Sequence, residues 1–307
     1  MLTNISGAET RYLADLSRLQ NSINQATAQV TSGKRVTQPS DDPADLPEIL
    51  QLEANIAQNT QVQSNLSSAT SELQTADSTL QSVVSVLQQA ETLAVEGANS
   101  TETADDRTTL AVQVASLQTQ LITLSQTQAN GHYIFSGDQD TQPSYQADPS
   151  GINGVDQLLA MTNTRTITDA SGTTISVALT AQEIFDPQNP DGSSATGNAF
   201  AAINDLLIAL QNNDEPGIAN ATTELQAAGT YVNQKLAFYG DAENRVSDAT
   251  SLAEKFQTQM TTDLSDVQDT DIPSAAVTLN QEQVQLQAAT SAEANVLQMK
   301  NIFDYIG

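Results

Sequence analysis

Apolar residues recur at alternating spacings of four and three near both ends of the 307-residue chain. The N-terminal stripe consists of Tyr12, Leu16, Leu19, Ile23, Ala26 and Val30. The C-terminal stripe consists of Leu279, Leu286, Ala289, Val296, Met299, Phe303 and Ile306, with Glu282 and Glu293 on the same frame. This spacing lines one face of an α-helix and is typical of helices that pair along a seam. Both ends are therefore predicted to form long helices that bury one side.

Composition limits how wide a hydrophobic core can be. The chain has no Cys and no Trp, and only 4% of its residues are aromatic. Disulfides and thiolate metal sites are therefore excluded, and the core depends on Leu, Ile, Val and Ala. Such residues suit narrow seams between helices. We expect a mainly α fold, a long antiparallel helical bundle or coiled coil from both termini with a small β-rich inserted domain.

Two further stripes predict helices between residues 48 and 125. They consist of Leu66, Ala69, Leu73, Ala76, Leu80, Val83, Leu87, Ala90 and Ala94, and of Leu110, Val114, Leu117, Leu121 and Leu124. Pro47 is expected at the start of the first helix, and Asp105 or Asp106 is expected to cap the second. We expect both stripes to pack within one chain.

The segment 138–198 differs in composition because it is richer in Pro, Gly and Asp than the rest of the chain. Within it, Gly172 separates two β-prone runs and predicts a hairpin. Helix is expected to resume at residues 200–211 and 218–267. The chain is thus predicted to contain a terminal assembly domain (1–47 and 270–307), a helical body (48–137 and 199–269) and an outward-facing β-rich insertion (138–198).

The formal net charge of −27 excludes several partners. Nucleic acids and anionic membrane surfaces both select Lys and Arg, so neither is expected to bind. No apolar run is long enough to span a membrane, and the first residues lack the features of a cleaved signal peptide. Residues 1–45 carry four basic and five acidic side chains, so the N-terminal end is nearly neutral. Near-neutral ends favour contact with other copies, although helical ends with few loops would also carry few Asp residues.

No constellation of catalytic or metal-binding residues occurs in the sequence. His132 is the only histidine, and its neighbours do not supply a catalytic triad or a zinc site. The string from Asp186 to Gly192 has the wrong spacing for an EF-hand, and no glycine-rich phosphate loop occurs. Clusters such as Asp266, Asp269 and Asp271 are interpreted as solvated faces. We expect neither an enzyme nor a cofactor or metal site.

Several motifs at both ends resemble those of the flagellin family. Ser32-Gly-Lys-Arg35 followed by Pro39-Ser-Asp-Asp-Pro43 is similar to its N-terminal signature. Residues 93–99 followed by 103–107 resemble its helix–turn–helix, and residues 283–289 and 296–306 resemble its closing helix. The resemblance covers about residues 1–137 and 245–307. It implies a structural subunit of the bacterial flagellum that polymerises through its terminal helices.

Within the family, the proline-bearing loop at 39–43 and the segment 131–137 are more similar to members that join hook to filament than to flagellin. This resemblance implies an extracellular protein, exported without a cleaved signal peptide through the flagellar type III apparatus. The implied partners are further copies in a ring-like assembly, flagellin, another hook-associated protein on the hook side, and an export chaperone at the C-terminal helix. Flagellin itself, or a secreted coiled-coil binding module, remains an alternative.

The terminal stripes are the predicted subunit interface. Their members on the N-terminal side are Tyr12, Leu16, Leu19, Ile23 and Val30, and those on the C-terminal side are Leu279, Leu286, Ala289, Val296, Met299, Phe303 and Ile306. Lys34 and Arg35 follow the first stripe directly. From the sequence they are a hinge, an interface or a solvated turn, and these three readings stay open.

Overall fold

The computed structural model describes residues 2–160 and 163–298. The fold is mainly α-helical, as predicted. The helices are α1 (Leu2–Ser32), α2 (Leu46–Gly97), α3 (Ala104–Ser125), α4 (Ala181–Phe185), α5 (Ala199–Gln211), α6 (Glu215–Gln268) and α7 (Ile272–Gln298). The chain divides into two compact units, 1–58 with 257–307 and 59–256.

The first unit is built around α1 and α7. Helix α1 ends because Gly33 adopts φ of +72°, a left-handed conformation that glycine tolerates and that ends many helices. Helix α7 follows a three-residue break after α6, and Pro273 lies in its first turn, where proline needs no hydrogen-bond partner. Over residues 2–32 and 272–298, both terminal helices form as the apolar spacing predicts.

The second unit contains a continuous hydrophobic core. All nine residues of the predicted α2 stripe are buried. The most exposed of them, Ala69, is 6% exposed. Leu110, Val114, Leu117 and Leu121 of α3 are also buried. Helix α6 completes the core with a third stripe: Ile218, Ala221, Leu225, Ala228, Val232, Tyr239, Ala242, Val246, Ala249 and Ala253. The prediction that these stripes pack within one chain is confirmed.

The start of α3 differs from the prediction in its capping residue. Thr103, not Asp105 or Asp106, is the N-cap, and its side chain accepts a hydrogen bond from the Asp106 backbone N–H. The Asp106 carboxylate accepts in return from the Thr103 backbone N–H at 3.1 Å. This reciprocal capping box satisfies two backbone donors, whereas an Asp cap would satisfy one.

Within the described residues, the β structure consists of three two-stranded antiparallel hairpins. The strands are β1 (Gln128–Ala129), β2 (His132–Tyr133), β3 (Tyr145–Ala147), β4 (Val155–Gln157), β5 (Thr166–Thr168) and β6 (Thr174–Ser176). The predicted hairpin is confirmed as β5–β6, with Ile167 opposite Ile175 and Gly172 at φ of +87° in the turn. The strands begin before residue 138 because Asn130 and Gly131 form a tight turn with positive φ.

The β-rich segment shares its core with the helices. Phe185 of α4 lies 5.5 Å from Phe135 and 5.8 Å from Phe200 of α5, measured between ring centroids. Tyr145 lies 5.1 Å from Phe200, and all four rings are fully buried. The segment 138–198 therefore packs as part of the second unit. The predicted three-part division, with this segment facing outward, stays a prediction.

Candidate assembly surface

The two terminal helices face each other along the stripes that the sequence predicts. Tyr12, Leu16, Leu19, Ile23 and Val30 are half-buried on α1, and Leu279, Leu286 and Ala289 are half-buried on α7. Among the described side chains of these helices, only Ala26 and Ala275 are buried. One helix covers roughly one side of the other, so the seam of the pair is thin.

Polar contacts across the seam give the pair its direction. The Tyr12 hydroxyl donates to the Ala289 carbonyl at 3.5 Å, and the Ser22 hydroxyl donates to Oε1 of Glu282. Early residues of α1 thus meet late residues of α7, which makes the pair antiparallel. Oε2 of Glu282 is buried and has no hydrogen-bond partner. A carboxylate in this position costs stability, because burial removes water without supplying a second donor.

The structure brings the two predicted stripes together inside one chain. It does not test whether the same side chains also touch other subunits, so that part stays a prediction. The side chain of Val296 and the whole of Met299, Phe303 and Ile306 lie outside the described residues. For these four positions, the sequence pattern is the only basis for assigning them to the interface.

Other apolar side chains of the pair lie off the seam. Leu13 is 62% exposed on α1, and Val277 and Val284 are 55% and 66% exposed on α7. Val277 and Val284 are seven residues apart and therefore lie on the same side of their helix. The outer sides of α1 and α7 thus carry apolar groups, which the sequence analysis did not single out.

A short backbone pairing fastens the inner ends of the terminal helices. The N–H groups of Arg35 and Val36 donate to the Gln268 carbonyl at 2.7 and 3.3 Å, and Thr270 N–H donates to the Gly33 carbonyl at 2.9 Å. These bonds join the exit of α1 to the α6–α7 break. The pairing holds the end of α1 next to the start of α7.

Arg35 reinforces this joint. Its guanidinium contacts Asp42 at 2.6 Å and Asp45 at 2.5 Å, and it donates to the Val267 carbonyl at 2.7 Å. The hydrogen bond from Arg35 lowers the pKa of Asp42. The sequence left three readings open for Lys34 and Arg35. In the structure, Arg35 holds the joint together, a role outside those three readings, and Lys34 is exposed. The sequence could not show this because Val267 is 232 residues away.

The loop between Arg35 and α2 is held by its own carboxylates. Asp41 accepts hydrogen bonds from the backbone N–H groups of Thr37 and Gln38 at 3.0 and 2.9 Å. The bond from Thr37 is the main reason that the pKa of Asp41 lies below its usual range. The acidic loop quoted from the sequence is therefore a compact turn that orients Asp42 toward Arg35.

Arg107 has a comparable role in the second unit, and sequence reasoning did not identify it. Its side chain is almost fully buried and donates to the Gly97 carbonyl at 2.8 Å and to Asn213 Oδ1 at 2.5 Å. It also pairs with Glu215 at 2.8 Å. Arg107 thereby ties the α2–α3 loop to the α5–α6 loop. An arginine in the first turn of a predicted helix was the only sequence signal for this contact.

The residues considered for catalysis do not converge on a site. His132 Nδ1 lies 3.2 Å from Asp140 and is half exposed. Asp186 is buried, where it accepts from Tyr145 at 3.0 Å and from Asn198 at 2.6 Å, so its role is to hold the β-rich segment together. In the described part of the chain, no three His, Asp or Glu side chains are grouped to hold a metal ion.

None of the helices described is long and apolar enough to cross a membrane.

Comparison with known proteins relates these features to a family. The bacterial flagellin N-terminal helical region matches residues 2–140, and the flagellin C-terminal helical region matches residues 222–306. A relative named flagellar hook-associated protein 3, from Escherichia coli (strain K12), is 28% identical over 282 residues. That match covers 86% of this chain and 87% of the relative.

Solved structures show the same fold. A Legionella pneumophila flagellar hook-associated protein-3 superposes with a TM-score of 0.61 at 13% identity, over 71% of this chain and 98% of that one. Xanthomonas campestris FlgL gives 0.58 at 15% identity, over 70% and 99%. The matched helical regions include both terminal helices and the Arg35 joint. This chain therefore belongs to the flagellin-like family of flagellar structural proteins.

Proposed function

We propose that this chain joins the hook of the bacterial flagellum to the filament, and that its copies assemble through their terminal helices. The observation that carries this proposal is the thin α1–α7 seam, whose larger apolar side chains are only half-buried where the structure describes them. Fully burying a Leu or Ile side chain stabilises a fold by about 1.5–3 kcal/mol, so each half-buried residue leaves much of this gain unused. Neighbouring copies would supply the missing surface.

The apolar groups on the outer sides of the pair support the same proposal. Leu13, Val277 and Val284 would be covered by adjacent copies, because α1 and α7 leave them in water. The nearly neutral charge of residues 1–45 favours close packing there, since like charges in the acidic remainder repel. The terminal helices are thus suited to line the inside of an assembly.

The choice of the junction over the filament rests on the relatives, which carry the name flagellar hook-associated protein 3. In this role, one side of a ring of copies contacts flagellin and the other contacts another hook-associated protein. The chain would leave the cell unfolded through the flagellar type III apparatus, with an export chaperone on its C-terminal helix. Its location would then be the extracellular part of the flagellum.

Electron microscopy of labelled cells tests this proposal. An antibody against residues 138–198 is applied to intact bacteria that express the chain, with a deletion strain as the control. A single cluster of label where the curved hook meets the filament is the expected result. Label along the whole filament would instead identify a filament subunit, and label away from flagella would overturn the flagellar role.

A further inference from the structure

Helices α2 and α3 present a surface without charged side chains. No Asp, Glu, Lys or Arg occurs in residues 78–90 or 108–131, although 15% of the chain is charged. The exposed residues of these stretches on the two helices, here called the neutral face, are Ser78, Gln81, Ser82, Ser85, Gln88 and Gln89 of α2, and Thr108, Thr109, Val112, Gln113, Ser116, Thr119, Gln120 and Thr123 of α3. In so acidic a chain, this absence of charge needs a physical reason.

A groove of about 360 Å³ runs through the neutral face. Its α2 side is formed by Gln89, Thr92 and Leu93, and its α3 side by Gln113, Ser116 and Leu117. The nearest carboxylate along α2, Glu91, accepts a hydrogen bond from Gln226 of α6 at 2.7 Å. This bond holds the carboxylate beside α6. Val112 is 69% exposed on α3, so the face combines amides, hydroxyls and an apolar group.

These chemical properties select a second copy of this chain as the occupant. Each copy carries a net charge of −27, and close contact through acidic surfaces would bury unpaired carboxylates. Glutamine amides and the hydroxyls of Ser and Thr both donate and accept hydrogen bonds, so a face made of them can satisfy an identical group. A basic partner would gain more from the acidic surfaces elsewhere on the molecule.

We propose that the neutral face is a lateral contact between copies in the assembly, which rests on the proposed function for bringing the copies together. Fourteen exposed residues form the face, fewer than the roughly 20–30 per side of a stable interface. The contact is therefore too small to hold a dimer in dilute solution. It forms once the terminal helices have gathered the copies.

Single cysteines test this directly, because the chain has none of its own. Gln89→Cys and Gln113→Cys report on the neutral face, Val284→Cys reports on the terminal helices, and Thr223→Cys, exposed on α6, is the control. Thiol labelling rates are measured in dilute monomer and in the assembled protein. The rates at positions 89 and 113 are expected to fall at least tenfold on assembly, with no change at 223.

The four reporters distinguish failure of this proposal from failure of the proposed function. Protection at 284 without protection at 89 and 113 would overturn the lateral contact and leave assembly through the terminal helices intact. Protection at 89 and 113 but not at 284 would support the contact and contradict the role of those helices. Equal slowing at 223 would mean unspecific burial and would overturn the lateral contact. A chain that never assembles would overturn both.

A charge variant gives an independent measurement. Gln113→Glu adds a carboxylate to the neutral face, and Thr223→Glu adds the same charge to α6. The first is expected to raise the concentration needed for assembly at least tenfold, whereas the second leaves it unchanged. Both positions are exposed, so thermal unfolding of the monomer should stay unaltered. Equal effects of the two variants would contradict the proposal.

Discussion

The terminal helix pair and the core of the second unit use similar residues at the same spacing, yet they bury them to different extents. Leu66, Leu73 and Leu80 of α2 are completely buried, whereas Leu16, Leu19 and Leu279 of the pair are half-buried. The difference lies in the number of neighbours. Stripes on α2, α3, α5 and α6 close on one another, but α1 and α7 cover each other on one side only.

This difference determines how each region is stabilised. Ordering a residue costs about 1–2 kcal/mol of backbone entropy, which helix hydrogen bonds offset in part. In the second unit, complete burial of apolar side chains offsets the remaining entropy cost. In the α1–α7 pair, half-burial offsets less of that cost. The same heptad pattern therefore encodes a fully buried core in one region and a half-covered seam in the other, which further copies would complete under the proposed function.

The largest expected effect comes from making one substitution in both regions. Leu73→Ala should lower the free energy of unfolding of the second unit by about 2–5 kcal/mol, because Leu73 is fully buried and a cavity would remain. Leu16→Ala should lower the free energy of unfolding of the first unit by less than about 1 kcal/mol in the monomer. The same substitution should weaken assembly. Urea unfolding followed by circular dichroism measures the first effect, and light scattering measures assembly. Similar losses of monomer stability would contradict the comparison.

Removing the arginine that joins two loops should also cost more stability in the second unit than in the first. Arg107→Ala should destabilise the second unit by about 3 kcal/mol, since it leaves the buried Gly97 carbonyl without this donor and breaks the pair with Glu215. Arg35→Ala should cost below about 1 kcal/mol, because its ion pairs are partly exposed. Thermal unfolding of each variant, with Arg107→Lys as the charge-conserving control, checks this order. A larger loss for Arg35→Ala would reverse the account.

A polar residue in the terminal seam allows a gain rather than a loss. Glu282→Leu should stabilise the α1–α7 pair by about 1 kcal/mol, because it removes a carboxylate oxygen that lacks a partner. It should also relax the register, which the Ser22–Glu282 hydrogen bond helps to fix. Spin labels on Ala14→Cys and Val277→Cys would report register: a slip of one heptad moves a helix by about 10 Å along its axis. With Glu282 in place, one distance between the two labels is expected. In the Glu282→Leu variant, this distance should split into two. One unchanged distance would show that register is set elsewhere.

The smallest effect is a pH dependence in the second unit. Burial raises the pKa of both Asp205 and Glu224, and the Asp205 charge raises that of Glu224 further. A raised carboxyl pKa means that the folded chain holds protons more tightly than the unfolded one, so this pair costs stability near pH 7. The cost should fade as the pH drops through the raised pKa values to the ordinary ones, 3.8 and 4.5.

Glu224→Gln isolates this effect. The variant should be more stable than the wild type at pH 7, with the difference lost near pH 4. Melting temperatures across this range measure it, with Glu96→Gln as an exposed control of equal charge change. A stability difference that grows as the pH falls would have the wrong sign for a raised pKa.

Much of the helical framework could be predicted because its signal is local and repeated. The stripes on α2 and α3 fix which faces are buried, and Gly33 and Gly172 mark turns that need positive φ. Long-range contacts carry no such signal. Arg35 meets Val267, and Arg107 meets Asn213 and Glu215, through loops whose approach depends on the whole fold.

The way in which the β-rich segment packs could not be predicted for a related reason. Phe135, Tyr145 and Phe185 look like scattered aromatic residues in the sequence, and they meet Phe200 only after the helices have packed. The candidate interface was predictable as a stripe. Its thinness was not, because the number of helices that cover a stripe cannot be read from its spacing.

Hydrogen exchange of the dilute monomer tests the central claim most directly. The account predicts that amides of α1 and α7 exchange far faster than those of residues 66–94 and 110–121, and that assembly slows the first group. Mass spectrometry of peptides from each helix would measure both states of the same protein. Equal protection of all these helices in the monomer would show that the terminal pair is stable alone and would contradict the account.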